Sequence, residues 1–246
     1  MVDKIVVDNI KKSFPTSKGI LEVVSNLSLS VRDGEFLAIV GPSGCGKSTL
    51  MKMICGFELP DEGVIKIDGI VREGPNSKGI LISQHGSVFP WMNVQQNMIF
   101  GLNDMSEAEK KETADHYISM VGLKNFEKNY PHELSGGMLK RVEIARALAM
   151  KPEILYMDEP FSALDALMNL HMRMELLRIL EKERHTVLLI THDVEEAVHL
   201  ADRIMVLSPR PTKIQAIHEV NIPHPRKMSS LEAQELKEVI LRELGL

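Results

Sequence analysis

The sequence predicts an α/β fold built around a mostly parallel β-sheet. From about residue 80 onward, short and nearly continuous apolar runs alternate with stretches of helical periodicity; the runs are ILIS, ILYM, VLLI and IMVL. Strands that are buried on both faces of a parallel sheet have this appearance. Each run ends in a polar cluster, and open α/β sheets bind their ligands at that edge. We expect one domain over residues 1–246, because α/β domains commonly reach this length.

The segment before about residue 70 predicts an antiparallel β region. Turn signals separate four strand-like segments, which are KIVVD, LEVVSNLSLSV, EFLAIV and VIKID. Asp33-Gly34 precedes the third segment and Asp68-Gly69 follows the fourth. Because an Asp-Gly pair between alternating apolar segments favours a hairpin, we expect all four strands to be largely antiparallel.

Capping residues and apolar spacing predict the helices. Ser106 and Glu109 form a capping box ahead of a helix that ends near Val121, and Ser229 and Glu232 form another close to the chain end. Gly245 stands at an expected C-cap. Two sets of apolar residues share predicted helix faces: Leu167, Leu170, Met174 and Leu177, then Leu236, Val239, Ile240 and Leu244. We also expect a helical subdomain over about residues 89–150, inserted into the α/β domain.

Composition narrows the class of partner. The 29 basic and 34 acidic residues give a formal charge of −5, which offers no general attraction to nucleic acid. The two cysteines, Cys45 and Cys55, form no metal-like cluster or disulfide framework, so a reduced cytosolic compartment is indicated. The start shows no signal-peptide pattern, and no run reaches the length of a membrane span. Any membrane role is therefore expected to act from the cytoplasmic side through a partner.

The strongest functional pattern is a phosphate-binding loop. Its residues match G-x-x-x-x-G-K-S/T between a strand and a helix; they are Gly41, Pro42, Ser43, Gly44, Cys45, Gly46, Lys47, Ser48 and Thr49. The glycines allow backbone N–H groups to converge on phosphate oxygens at the helix start. Lys47 is then placed for the β- and γ-phosphates and Ser48 for Mg²⁺. The alternative is a glycine-rich turn with a solvated lysine; Cys45 is interpreted as a small loop filler rather than a redox thiol.

Two further patterns point to phosphate chemistry. The run ILYM ends in Asp158 and Glu159, where one carboxylate suits the Mg²⁺ shell and the other suits a water nucleophile; the alternative is a surface turn. Ser135, Gly136 and Gly137 begin a predicted helix with an apolar face, which makes a second anion site or simply a capped helix.

In this combination the chain resembles the ABC ATPase family, within the P-loop NTPases, along nearly its whole length. Leu134–Met138 is similar to the family signature, and the segment from Ser162 to Asp165 is similar to its D-loop. Gln84 stands at the Q-loop position and His192 at the switch histidine, all in the family order. Taken singly, Gln84 would be a surface-loop residue and His192 a core histidine.

The resemblance implies that two copies of the chain sandwich Mg²⁺-ATP. One phosphate loop would face Ser135, Gly136 and Gly137 of the other copy, with Asp165 also among the nucleotide contacts. Glu159 would be the general base, and His192 would contact the γ-phosphate.

The resemblance assigns roles to further residues. Lys47 would be catalytic together with Glu159 and His192, and the Mg²⁺ ligands would be Ser48, Gln84 and Asp158. Phe14 is the candidate for stacking on adenine, with a packing role as the alternative.

Several features are similar to the nitrate, sulfonate and taurine importer branch, which also includes importers of pyrimidine precursors of thiamine. They are Met138, Phe89-Pro90-Trp91, PFSALDAL and Ser208–Pro211. Leu139-Lys140 and His85-Gly86-Ser87 depart from the usual pattern. The implied partners are membrane permease subunits and, indirectly, a solute-binding protein, at the cytoplasmic face of the membrane.

The segment HGSVFPWM is predicted to dock a cytoplasmic helix of the permease, with Gln84 reporting nucleotide state. The alternative is that Phe89, Trp91 and Met92 pack into the helical subdomain.

A DNA-repair or chromosome-associated ATPase is the rival class. It is disfavoured because Gly41 and Ser135 are not separated by a coiled coil and the net charge is acidic. A translation-associated ABC protein would carry two such domains, and a GTPase would carry an Asn-Lys-x-Asp segment.

Overall fold

The computed structural model describes residues 3–84 and 86–246, so His85, part of the unusual loop after ILIS, lies outside the described residues. The described chain has two β-sheets. The antiparallel sheet has four strands, β1 (Asp3–Thr16), β2 (Gly19–Arg32), β4 (Glu62–Ile67) and β5 (Ile70–Val71). The larger sheet has six, β3 (Phe36–Val40), β6 (Gly79–Ile82), β7 (Ile154–Asp158), β8 (Thr186–Ile190), β9 (Arg203–Leu207) and β10 (Ile214–Glu219).

The larger sheet has the order β10-β9-β3-β8-β7-β6 and is parallel except for the antiparallel edge strand β10. Its strands β6 to β9 are the four apolar runs predicted from sequence. The smaller sheet has the order β2-β1-β4-β5, and the Asp68-Gly69 hairpin is confirmed by the pairing of Ile67 with Ile70.

One strand prediction was wrong. The segment EFLAIV, expected in the antiparallel region, forms β3 and lies in the middle of the parallel sheet between β8 and β9. All five residues of β3 are buried, which fits a strand covered on both faces. Asp33-Gly34 therefore connects two different sheets and is not a hairpin turn.

Both faces of the parallel sheet are covered. On β3, Leu37 and Ile39 join the apolar cluster that includes the antiparallel sheet, whereas Phe36, Ala38 and Val40 join the cluster that includes most of the helices. This alternation is the period-two pattern of a strand. The helices are α1 (Lys47–Cys55), α2 (Val94–Ile99), α3 (Glu107–Met120), α4 (Gly136–Ala149), α5 (Ala166–Lys182), α6 (Val194–Leu200) and α7 (Leu231–Glu243). The predicted fold class is confirmed.

The predicted helix ends were confirmed at α3 and at Gly245, but the cap of α7 differs by one residue. The capping box of Ser106 and Glu109 is confirmed at the start of α3. At α7, however, Ser230 rather than Ser229 caps the helix, because its hydroxyl accepts from the N–H of Ala233. Gly245 has the left-handed backbone expected after a helix end.

The predicted apolar face of α5 was wrong for three of its four residues, since only Leu177 packs against the core. Leu167 is 82% exposed, and Leu170 and Met174 are exposed as well. The side chains that α5 buries are Met172 and Leu176. Spacing alone identified the helix but not the side that meets the core.

Candidate functional site

The phosphate-binding loop joins β3 to α1, as the sequence predicts. Lys47 is buried, and its ammonium donates to the carbonyl oxygens of Gly41 at 2.8 Å and Pro42 at 3.0 Å. Gly46 has φ of 123°, and an added Cβ would lie 2.8 Å from Val23 Cγ1. A side chain at this position would therefore be excluded both by backbone strain and by contact.

The loop is held in place by the turn between β9 and β10. The Thr212 hydroxyl is fully buried and donates to the carbonyl of Cys45. The Thr212 N–H donates to Val23 O at 2.8 Å, and the Ser25 N–H donates to Thr212 O at 3.1 Å. Cys45 itself is a buried free thiol, which agrees with its interpretation as a loop filler.

A cleft of about 800 Å³ opens beside this loop. Its lining brings together most of the predicted site residues from distant parts of the chain. The lining residues are Phe14, Leu21, Val23, Ser43, Gly44, Gly46, Lys47, Ser48, Thr49, Gln84, Glu159, His192 and Arg210. Three residues of the loop, Gly41, Pro42 and Cys45, do not line the cleft, and neither does Asp158.

Asp158 lies at the end of β7, directly next to the phosphate loop. Burial raises the pKa of its carboxyl group, and the negative charge of Glu159 acts in the same direction. A hydrogen bond from the Ser48 hydroxyl and the charge of Lys47 oppose this rise. Asp158 and Ser48 thus form an oxygen-rich corner next to the phosphate loop, and oxygen atoms are the ligands that Mg²⁺ prefers.

Glu159 has an unusual backbone, with φ of 49° in the left-handed region. Its N–H donates to Ile190 O at 2.9 Å, and its carbonyl accepts from the Ser162 hydroxyl at 2.9 Å. Non-glycine residues in this region cost free energy and persist where neighbours hold them. In this conformation Glu159 lines the cleft.

Two side chains from neighbouring strand ends meet the Glu159 carboxylate. Gln84, after β6, donates from Nε2 to Oε2 at 3.2 Å, and His192 Nδ1, after β8, lies 3.3 Å from Oε1. Gln84 and His192 are exposed to solvent. This arrangement leaves the carboxylate oriented by two polar groups and accessible from the cleft.

The segment around His192 contains a buried acid that sequence reasoning missed. The Thr191 hydroxyl donates to Oε2 of Glu196, and the Asp193 N–H donates to the Thr191 hydroxyl at 3.0 Å. Burial raises the pKa of Glu196 to about 7. No donor within residues 3–84 and 86–246 reaches Oε1 of Glu196, which fits a carboxyl group that tends to hold its proton.

The predicted second anion site lies apart from the cleft. Ser135 caps α4 by accepting from the Met138 N–H, and an added Cβ on Gly137 would lie 3.2 Å from Ala163 O. Asp165 caps α5 by accepting from the Met168 N–H at 3.0 Å. None of Ser135, Gly136, Gly137 and Asp165 lines the cleft of the same chain.

Arg210 is a cleft residue that sequence reasoning did not assign. One of its guanidinium nitrogens lies 3.8 Å from the Cβ position of Gly44. The only sequence signal for it is the Ser208–Pro211 segment, whose similarity to the importer branch assigns Arg210 no role in the cleft. Phe14, at the other side, lies on β1 with the Lys12 ammonium 5.3 Å from its ring centroid.

The segment after Gln84 is only partly packed. Asn97 anchors it by accepting from the Phe89 N–H at 2.9 Å and donating to the carbonyls of Phe89 and Met92. The rings of Phe89 and Phe100 contact edge to face at 4.4 Å. Trp91 stays 68% exposed, whereas Phe89 and Met92 are half-buried. Phe89 and Met92 thus follow the packing alternative in part, and Trp91 is the one of the three that stays exposed.

No helix within the described part of the chain has the length and apolar character that a membrane crossing requires. A family model described as "ABC transporter" matches residues 24–162.

Three curated relatives align over most of their length. An uncharacterized ABC transporter ATP-binding protein of Methanocaldococcus jannaschii is 43% identical, covering 98% of this chain and 91% of that protein. The nitrate import ATP-binding protein NrtD of Synechocystis is 44% identical, covering 88% and 82%. The aliphatic sulfonates import ATP-binding protein SsuB of Bacillus cereus is 39% identical, covering 96% and 94%.

Solved structures agree with these relatives. A dimeric structure of the ABC transporter cassette MJ0796 has a TM-score of 0.81 at 29% identity, covering 88% of this chain and 99% of that one. A dimer of the same cassette in a post-hydrolysis state, bound to ADP and Pi, has a TM-score of 0.80 at 28% identity. This chain belongs to the ABC transporter family of ATP-binding proteins.

Proposed function

We propose that this chain is the Mg²⁺-dependent ATPase subunit of an importer that takes up a small solute through separate membrane subunits. The observation that carries the proposal is that Lys47, Gln84, Glu159 and His192 line one cleft, with Asp158 beside its phosphate loop. They follow β3, β7, β6 and β8 at the carboxyl edge of the parallel sheet, where such folds bind ligands. The whole chain works as one ATPase domain, and about residues 89–150 form its helical part.

ATP is bound by the phosphate loop on one side and by Phe14 on the other. Lys47 turns from the loop carbonyls to the β- and γ-phosphates, and the loop residues from Gly41 to Thr49 supply N–H and hydroxyl donors. Phe14 offers its ring face to adenine at the apolar side of the cleft, beside Leu21 and Val23. Arg210 adds a second positive charge close to Gly44, where a guanidinium is suited to a phosphate oxygen.

Ser48, Asp158 and Gln84 would hold magnesium. The fit is supported by the buried Asp158 carboxyl group and its hydrogen bond from Ser48, because an unneutralised carboxylate is costly at such a site. When bound, the ion supplies positive charge that stabilises the phosphate oxygens.

Glu159 acts as the general base. Its carboxylate is in the cleft, is hydrogen-bonded by Gln84, and has the His192 ring beside its other oxygen. A water molecule that donates to Glu159 would lose its proton to this carboxylate as its oxygen bonds to the γ-phosphorus; the bond from that phosphorus to the β–γ bridging oxygen would break, and ADP would leave. His192 orients Glu159 and contacts the γ-phosphate, so catalysis consists of positioning and charge stabilisation.

A second copy completes the site. Ser135, Gly136, Gly137 and Asp165 are separate from their own chain's cleft, which suits residues that serve the nucleotide of the other copy. The dimeric structures of the similar cassette support this arrangement. The N-terminus of α4 directs its free N–H groups and partial positive charge toward a phosphate of the partner's ATP.

The membrane permease docks on the segment from Gly86 to Met92. Trp91 is the large exposed apolar residue there, and Asn97 fixes the backbone that presents it. The nitrate and sulfonate import proteins among the relatives support a solute of that type and an indirect solute-binding partner. The chain then works as a peripheral subunit at the cytoplasmic face of the membrane.

The test begins with the purified chain. We expect ATP hydrolysis with Mg²⁺ and none after chelation by EDTA, with no stimulation by duplex DNA. Reconstitution with the permease subunits in vesicles should raise turnover and couple it to solute uptake. Hydrolysis that is metal-independent, or that requires DNA, would contradict the proposal.

A further inference from the structure

Helix α4 carries a buried ion pair at one of the positions where the sequence departs from the family pattern. Lys140 is 5% exposed and Glu143 is 1% exposed, and the Lys140 ammonium lies 3.0 Å from Oε2 of Glu143. Two charges removed from water in this way need further hydrogen bonds to offset the cost of desolvation. The structure shows where those hydrogen bonds go.

Both members of the pair bind the loop that contains Gln84. The Lys140 ammonium donates to the carbonyl of Ser83, directly before Gln84. The Ser87 hydroxyl, three residues after Gln84, donates to Oε1 of Glu143 at 2.7 Å. The ion pair therefore holds the loop on both sides of the residue that contacts Glu159.

The next turn of the same helix face continues this contact. Arg146 donates to the Ser87 carbonyl at 2.8 Å and lies over the Phe89 ring at 4.7 Å from its centroid. Residues 140, 143 and 146 have the spacing that places side chains on one side of a helix. The helix that begins at the Ser135 cap is thus tied by its side chains to the loop between β6 and α2.

An ordinary packing role does not require this arrangement. Apolar residues of similar volume stabilise a core as well as, or better than, a buried ion pair. The ion pair adds geometric specificity, because a charged hydrogen bond restricts the position of the loop backbone more than an apolar contact does.

We propose that Lys140 and Glu143 are positioning residues that hold the loop so that the Gln84 carboxamide meets the Glu159 carboxylate. The inference rests on the proposed function of Gln84 and Glu159 in ATP hydrolysis. Neither Lys140 nor Glu143 touches the nucleotide; they act through Gln84.

The experiment removes both charges at once. Lys140→Met alone would leave a buried, unpaired Glu143 and endanger folding, whereas Lys140→Met with Glu143→Met keeps the volume and leaves no orphan charge. We expect the double variant to unfold near the wild-type temperature. Its KM for ATP should stay within about twofold of the wild-type value, while its kcat falls about tenfold. The matched control neutralises a less buried pair of the same spacing on α3, Glu107→Met with Lys110→Met, and should change none of the three quantities.

Two readouts separate positioning from stability. In a Gln84→Ala background the charge removal should lower kcat no further, because residues that act through one another are not additive. Trp91 is the single tryptophan, so the decay of its fluorescence anisotropy should show faster local motion once the loop is released. If the methionine pair unfolds the chain, Lys140→Gln with Glu143→Gln serves the same test.

The outcomes are distinct. An unchanged kcat in the folded double variant would overturn the positioning role of Lys140 and Glu143 alone. A full additional loss of kcat in the Gln84→Ala background would do the same. Normal turnover of Glu159→Gln overturns the proposed function and this inference together.

Discussion

Nδ1 of His192 lies 3.3 Å from Oε1 of Glu159, while the opposite carboxylate oxygen accepts a hydrogen bond from Gln84. The two partners come from different strand ends, so the orientation of the carboxylate depends on the whole sheet edge. Glu159 reaches this position through a left-handed backbone that its neighbours hold in place. Contacts within the chain therefore fix the orientation of this carboxylate in the cleft.

Replacement of this carboxylate should separate binding from turnover. Glu159→Gln keeps the size of the side chain and the hydrogen bond from Gln84 but removes the base, so we expect turnover to fall by about 100-fold or more. ATP binding, measured by titration calorimetry, should stay close to wild type. Glu112→Gln, on the exposed face of α3, is the control. Near-normal turnover in Glu159→Gln would remove Glu159 from this role.

The same variant should trap a dimer. With hydrolysis blocked, Mg²⁺-ATP should shift Glu159→Gln from monomer to dimer in light scattering, because each γ-phosphate recruits Ser135 and Gly136 of the other copy. Adding Ser135→Arg should abolish the shift without loss of folded structure, since Ser135 is exposed apart from its capping bond. An equal mass with and without nucleotide would contradict the sandwich.

Arg210 should contribute to nucleotide affinity. Arg210→Ala removes the guanidinium near Gly44, and we expect KM for ATP to rise about tenfold or less with a smaller change in kcat. Lys213→Ala, an exposed cation after the same turn, should leave KM unchanged. An equal rise of KM in the two variants would indicate a general effect of positive charge and would contradict a direct contact of Arg210 with the nucleotide.

Trp91 should matter for assembly and not for folding. Trp91→Ala should weaken binding to the permease and uncouple transport, while the isolated chain keeps its melting temperature and its ATP affinity. An exposed residue elsewhere, Leu231→Ala on α7, serves as the control. Normal assembly and transport by Trp91→Ala would exclude the docking role.

Stability should depend on pH through Glu196. Its folded pKa is about 7 against an ordinary value of 4.5, so the folded chain keeps a proton that the unfolded chain has released between these values. The free energy of unfolding therefore falls as pH rises through that window and levels off above it. Glu196→Gln cannot ionise, so its melting temperature relative to wild type should rise between about pH 5 and pH 8.

Glu195→Gln is the matched control for that measurement. The Lys237 ammonium lowers the pKa of Glu195, which is the opposite direction, so this variant should gain nothing at the higher pH. Parallel melting curves of Glu196→Gln and wild type across the pH range would contradict the assignment.

Local patterns in the sequence determined the elements and most of the chemistry. The phosphate loop needs glycines at particular spacings next to a strand and a helix, so Gly41 to Thr49 could be recognised from the chain alone. The four apolar runs predict buried strands, and the polar residues that follow them mark one edge of the sheet. Asp158, Glu159 and His192 lie at this edge. These features depend on neighbours in sequence, and the structure confirms the elements that carry them.

Only the tertiary structure decided which surfaces meet. The strand EFLAIV looks the same whether its partners are parallel or antiparallel, and its place in the middle of the larger sheet follows from pairing with strands more than 140 residues away. The exposed stripe on α5 shows the same limit, because apolar spacing does not say which face the core covers. The position of Arg210 at the cleft depends on contacts between segments that are distant in sequence. The hydrogen bonds of Lys140 and Glu143 to the loop around Gln84 depend on such contacts too. Local sequence patterns therefore do not predict them.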